Sequence, residues 1–202
     1  MRICWQQAYS MLRTKILMVG PPESGKSMIA NYLGDATESS GGEYNPTQGV
    51  RIMEFEWDLG EDPKTGNPLR ADVELWDCGG RKEFESCWPA FSKDAGGVMM
   101  VYNPDKAQQH LTELEKWYTY FVAGQKLDNS QCVLFAHRKP NAPAGSEEPP
   151  PAGQLSEVHC VFTDLEEEPE GIREEFTKLL FGLFCHHRDR QDQEEMRIVG
   201  NT

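Results

Sequence analysis

No run of the sequence is long and apolar enough to cross a membrane. The longest, residues 98–102 (VMMVY), falls far short of the roughly 18 residues needed. The first residues, MRICWQQAYS, have no apolar core of the signal-peptide kind, because Gln6 and Gln7 interrupt it. Arg2 stands where myristoylation needs glycine, and the final RIVGNT holds no prenylation cysteine. The expectation is a cytoplasmic protein with no membrane anchor of its own. Cations are scarce as well: 20 Lys and Arg stand against 33 Asp and Glu, a net charge of −13. No nucleic-acid partner is expected, since phosphate backbones demand cations. CxxC spacing is missing among the six cysteines, at 4, 78, 87, 132, 160 and 185. They read as reduced residues rather than a disulfide or zinc framework, and Cys185-His186-His187 reads as a helix end.

What is present suffices for one folded domain. The chain has 202 residues, 38% hydrophobic and 10% aromatic. Apolar runs at 15–19 (KILMV), 97–102 (GVMMVY) and 131–136 (QCVLFA) suit strands buried on both faces. Further strands are expected at 50–57 and 71–77, joined by an extended polar connection. A helix is expected from the loop after 19 to about Leu33. Helical spacing relates Leu111, Leu114, Trp117, Tyr118 and Phe121, and again Ile172, Phe176, Leu179, Leu180 and Leu183. Residues 34–46 read as a loop. Residues 138–156 contain Pro140, Pro143, Pro149, Pro150 and Pro151 and cannot hold a regular helix. Strands alternating with helices predict an α/β fold with a mostly parallel sheet. The expected organisation is an N-terminal extension (1–12), a domain (13–187) and a charged, frayed or partner-bound tail (188–202).

Three motifs carry chemistry. Residues 20–27 (GPPESGKS) match G-x-x-x-x-G-K-[ST] between a buried strand and a helix. In that setting Gly20, Pro21, Pro22, Glu23, Ser24 and Gly25 form a loop whose amides cradle phosphates. Lys26 reaches the β- and γ-phosphates, and Ser27 coordinates Mg²⁺. The second motif is LWDCGG at 75–80. Asp77 ends a strand, where a carboxylate holds Mg²⁺ through water, and Gly80 lets an amide approach the γ-phosphate. The third, YNPTQG at 44–49, places Thr47 where a hydroxyl binds Mg²⁺ and senses the γ-phosphate.

Phosphate loop, threonine and WDxGG, in this order and spacing, resemble the Ras-like small GTPases. YNPTQGVRI, ELWDCGG, FESCWPA and the acidic end around Asp192-Gln193-Glu194-Glu195-Met196 are similar to the Rab-like GTPase subunits of the intraflagellar transport B complex. The resemblance covers roughly residues 11–202. It implies a P-loop small-GTPase fold with a six-stranded, mostly parallel sheet flanked by helices, the helix after the fifth strand replaced by a Pro-rich loop. It also implies GTP or GDP with Mg²⁺ as cofactors, coiled-coil protein partners in the transport particle, and a place in the cilium.

Departures from the small-GTPase pattern weaken hydrolysis and base reading. Arg81 occupies the position of the water-orienting Gln, and a guanidinium has only donors. Pro22 stands where Gly is common and crowds an incoming arginine finger. At the base-recognition motif, His137 falls at the Asn position, Arg138 and Lys139 follow, and Pro140 replaces the guanine-reading Asp. The nearest candidate for the Ser-Ala-Lys element is Thr163-Asp164-Leu165. His137 is either a base contact or a satisfied strand-end histidine. Two other functions stay open: a P-loop kinase or ATPase acting as an enzyme proper, and a nucleotide-independent pseudo-GTPase scaffold. Tyr44, Phe84, Trp88 and Phe91 suggest an aromatic docking cluster rimmed by Arg81, Glu83 and Glu85, and for Trp88 and Phe91 a core face at the start of the next helix is equally open.

Overall fold

The computed structural model describes residues 10–35, 45–139 and 151–199. Six strands form one sheet: β1 (Ser10–Val19), β2 (Val50–Glu61), β3 (Pro68–Cys78), β4 (Gly97–Tyr102), β5 (Cys132–Arg138) and β6 (His159–Asp164). Their spatial order is β2-β3-β1-β4-β5-β6. Only β2 and β3 pair antiparallel, and the other four pairings are parallel. The uniformly apolar β4 is buried along its whole length near the middle of the sheet, as a strand covered on both faces must be.

Four helices cover the two faces: α1 (Lys26–Leu33), α2 (Trp88–Ser92), α3 (Ala107–Phe121) and α4 (Pro169–Val199). Alternation along β1 sends Ile16 and Met18 to one face and Leu17 and Val19 to the other. On the first face they meet Ile29 and Leu33 of α1 and Ile172, Phe176 and Leu180 of α4. On the second they meet Trp88 and Phe91 of α2 and Leu114, Trp117 and Phe121 of α3. Both helical stripes read from the sequence are therefore core faces.

The structure differs from expectation in three places. β1 begins at Ser10, not Lys15, because residues from Ser10 onward pair in parallel with β3 from Leu69 onward. The polar segment after residue 57 is a hairpin rather than an extended connection. Asp58, Gly60 and Glu61 pair with Arg70, Leu69 and Pro68, with a register shift between Asp58 and Gly60. Its turn is built around Asp62, whose carboxylate accepts from the Lys64 amide (2.9 Å) and the Thr65 hydroxyl (3.0 Å). The segment from Arg188 is not frayed: α4 continues to Val199. Arg188 pairs with Asp62 at 3.0 Å and Asp192 with Lys64 at 2.9 Å, so the helix end is tied to the hairpin tip.

For Trp88 and Phe91 the structure decides between the two roles left open, in favour of the core face. Trp88 and Phe91 are buried, and the Trp88 ring lies 4.7 Å from Trp117, 5.1 Å from Tyr120 and 5.2 Å from Phe121. They belong to the core because α2 lies across the sheet; Phe84 is half-buried, and Tyr44 lies outside the described residues. Between β5 and β6, the described residues hold no α-helix, only a 3-10 turn over Gly153–Glu157 that buries Leu155 against the second face. Residues 140–150 lie outside the described residues.

Truncating Trp88 to Ala is expected to destabilise the fold by about 3–5 kcal/mol through loss of aromatic packing and an unfilled cavity. A urea-unfolding midpoint for Trp88→Ala within error of the wild type would contradict the buried placement.

Candidate functional site

β1 ends at Val19, and the chain turns through Gly20–Gly25 into α1. Two glycines make this turn possible by close approach. A Cβ on Gly25 (φ +96°) would sit 2.2 Å from His137 Cδ2, and one on Gly80 would sit 2.5 Å from the Gly20 carbonyl oxygen. The loop is thus clamped between the end of β5 and the segment after β3, with no space for a side chain at either glycine. Glu23 turns outward and pairs with Lys106 at 2.8 Å, a contact that holds its carboxyl below the usual range.

Lys26 is buried, and its ammonium donates to the carbonyls of Pro21 (2.7 Å) and Gly20 (3.0 Å) and to the Ser24 hydroxyl (3.3 Å). Burial pulls its pKa down to about 8, partly offset by the Asp77 carboxylate. A buried ammonium at the head of a helix, held by loop carbonyls, suits a site for anions.

Beside it, three oxygen ligands converge. The Ser27 and Thr47 hydroxyls are 2.9 Å apart, and Thr47 Oγ1 donates to Asp77 Oδ2 at 3.3 Å. Because the Thr47 hydrogen is engaged there, Ser27 supplies the hydrogen between the two hydroxyls. Asp77 is fully buried, and its Oδ1 has no hydrogen-bond partner among the described residues. A buried carboxylate oxygen without a partner costs free energy unless a ligand, ion or water satisfies it. That orphaned oxygen and the two hydroxyls are the donor set a hard, oxygen-seeking cation takes.

Arg51 is the site residue that sequence reasoning missed. Its Nη2 lies 3.5 Å from Asp77 Oδ2 and 3.5 Å from the Ser27 carbonyl oxygen. It gets there because the hairpin pairs Arg51 with Asp77. The register shift between Asp58 and Gly60 defeats counting back from the turn.

The base-side residues are placed differently from one another. His137 is buried, its Nδ1 is 3.1 Å from Thr163 Oγ1, and its Cδ2–Nε2 edge faces Gly25. Of the two roles open for His137, this geometry matches the satisfied strand-end histidine. Arg138 and Lys139 follow it half-buried, and Lys139 is near enough to Glu23 to help lower its pKa. Pro140 lies outside the described residues. Arg81 is half-exposed and lies 3.5 Å from Glu83, with no contact to the Ser27–Thr47–Asp77 group among the contacts described. Cys78, next to Asp77, is buried with its thiol pushed up to about 12, which keeps it protonated.

Strand, clamped glycine loop, buried lysine and facing oxygen ligands define the Ras-like class of P-loop domain. The family model described as the Ras of Complex (Roc) domain of DAPkinase matches residues 15–139. The chain is 47% identical to the Danio rerio intraflagellar transport protein 22 homolog, over 94% of this chain and all of that one. It is 45% identical to the Homo sapiens homolog over the same shares. The Trypanosoma brucei brucei protein is 29% identical over 82% of this chain and 84% of its own. Among solved structures, the GTP-bound T. brucei IFT22/74/81 crystal structure superposes with a TM-score of 0.68 at 26% identity, covering 87% of this chain and 98% of that one. GTP-bound T. brucei IFT22 alone gives 0.62 at 28% identity, over 85% and 95%. The chain belongs to the intraflagellar transport protein 22 family.

His110 and His137 give the fold a pH dependence. Both are buried, and burial pulls both pKa values from 6.5 to about 4. The unfolded chain therefore takes up protons near pH 6.5 that the folded chain refuses until about pH 4. Their contribution to stability is complete above pH 6.5 and is lost as the pH falls through that window, by about 1–2 kcal/mol per imidazole at pH 5. Unfolding midpoints measured from pH 7.5 to 5 should fall; a midpoint independent of pH would show that the imidazoles are charged or exposed.

Proposed function

We propose that this chain is a small-GTPase-like guanine-nucleotide-binding component of the intraflagellar transport B particle, serving cilium assembly and ciliary transport through its protein partners. The observation that carries the nucleotide half is the convergence of Ser27, Thr47 and the orphaned Asp77 oxygen beside the buried Lys26 ammonium. The family and its likeness to the GTP-bound IFT22/74/81 structure support the assembly half. Coiled-coil subunits are the proposed partners, and the cilium is the proposed site of action.

In this reading the phosphates of GTP or GDP lie in the Gly20–Gly25 loop. Lys26 neutralises them, and their charge returns its pKa toward the ordinary lysine range. The Ser24 hydroxyl, the most distant of the three Lys26 acceptors, is the contact a phosphate oxygen replaces. The Ser27 and Thr47 hydroxyls would hold Mg²⁺ directly and Asp77 would hold it through a water, and the ion would supply charge neutralisation at the phosphate oxygens. Arg51 holds the Asp77 carboxylate in place from the side. Gly80 brings the segment after β3 onto the loop, so that segment registers what the loop holds. His137 acts on the base side as a strut between Gly25 and Thr163, Arg138 and Lys139 follow it, and the sequence offers Pro140 in place of the usual carboxylate.

Hydrolysis is slow in this account. Arg81 accepts no hydrogen bond from water and turns toward Glu83, so no side chain at that position orients a nucleophile. Single-turnover GTP hydrolysis is expected at or below about 10⁻⁴–10⁻³ s⁻¹, with Arg81→Gln raising it and leaving binding intact. Nucleotide released from the purified protein and identified by chromatography is expected to be GTP or GDP, and absent from Lys26→Ala. An adenine nucleotide would favour a P-loop kinase or ATPase, and an empty protein that also fails to bind added GTP would favour a nucleotide-independent scaffold.

A further inference from the structure

A cleft of about 670 Å³ lies between β2, the end of α1 and the first half of α4, and it shares no residue with the phosphate loop. Phe55, Glu56, Trp57 and Asp58 line it in succession. Side chains alternate along a strand, so Phe55 and Trp57 lie on the α4 face, and Glu56 and Asp58 lie on the other. That residues of both faces border one cleft fits an opening along the strand's edge. Among the described residues β2 is an end strand of the sheet, paired with β3 alone, so this edge offers backbone groups that no described strand satisfies.

The floor is apolar and fixed. Trp57 and Leu33 are buried, the Trp57 ring stands edge-on to Phe176 at 5.0 Å, and its indole donates to Thr177 at 2.9 Å. The rim is acidic: five Asp and Glu residues border the cleft against two basic residues, with Glu56 also paired to Arg70 of β3 at 3.3 Å and Glu170 accepting from the Tyr32 hydroxyl at 3.2 Å. Both cations are already engaged. Arg173 pairs with Asp35 at 2.5 Å and stacks over Trp57 and Tyr32, and Lys178 pairs with Glu175 at 2.6 Å.

We propose that this cleft receives an extended segment of a partner protein, added along the open edge of β2, with an apolar side chain on the Trp57 floor and basic side chains at the rim. Strand addition supplies main-chain hydrogen bonds, and the alternating pockets supply selectivity. A second copy of this chain does not fit. A symmetric edge-to-edge pairing would set Glu56 and Asp58 against their own counterparts, and like charges facing each other across strands repel.

The test is amide-resolved NMR titration of the full-length, nucleotide-loaded protein with a synthetic hexapeptide of alternating Lys and Val. Alternating Glu and Val serves as the control. Shifts confined to residues 53–58 and 170–178, slowed hydrogen exchange in β2 and a dissociation constant below about 1 mM are expected. The charge reversal Glu56→Lys with Asp58→Lys should weaken binding at least about tenfold while nucleotide retention stays unchanged. Glu174→Lys, on α4, repeats the test should the double variant not fold. Equal binding of the acidic peptide, shifts outside the cleft, no effect of charge reversal, or concentration-dependent self-association through the same amides would each overturn the proposal. Nucleotide content, measured on the same samples, reports separately on the guanine-nucleotide reading.

Discussion

The lysine ammonium buried at the head of α1 is the constraint around which this structure is arranged. Burying a cation costs several kcal/mol unless dipoles or anions compensate. Here two loop carbonyls and a serine hydroxyl compensate in part, and the pKa of about 8 records what they leave undone. To keep those carbonyls in place the loop must stay rigid. It is rigid because His137 presses on Gly25 from β5 and Gly80 abuts the loop backbone from the end of β3. The parallel strands β1, β4 and β5 end beside one another, so the sheet itself sets the spacing of these clamps.

A second constraint runs through the β2–β3 hairpin. At one end Arg51 faces Asp77, inside the ligand cluster. At the other, Asp62 organises the turn and binds Arg188 of α4. The hairpin is therefore held at both ends, and its antiparallel register carries the position of Asp77 toward the far end of the molecule. β2 runs from the residues just after Thr47 and Gly49 to the strand segment that borders the α4 cleft.

The loop-lysine motif, the strand-end Asp77 and the buried strands were legible because each rests on a short-range pattern: a fixed spacing, an apolar run, a terminal glycine. The pairing of Ser27, Thr47 and Asp77 was legible for the same reason, since order and spacing along the chain suffice. Arg51 was not, because its role depends on a cross-strand register altered by the irregularity near Gly60. Arg188 was misjudged because a charged stretch looks the same whether it is solvated or tied to a partner 126 residues away. Trp88 was ambiguous because composition cannot say which face of a five-residue helix meets the sheet. His137 was found by position, yet its strut-like role came only from its contact with Gly25.

The role proposed for the Ser27–Thr47–Asp77 group is to hold a divalent cation that secures phosphates against Lys26. Calorimetric titration of nucleotide-free protein with GTP, with Mg²⁺ and then with chelator, tests it most directly, with Asp77→Asn measured alongside. The account predicts binding weakened by at least about a hundredfold, near 3 kcal/mol, when Mg²⁺ is removed, and a much smaller Mg²⁺ effect in Asp77→Asn. Equal GTP affinity with and without Mg²⁺ in the wild type would contradict it.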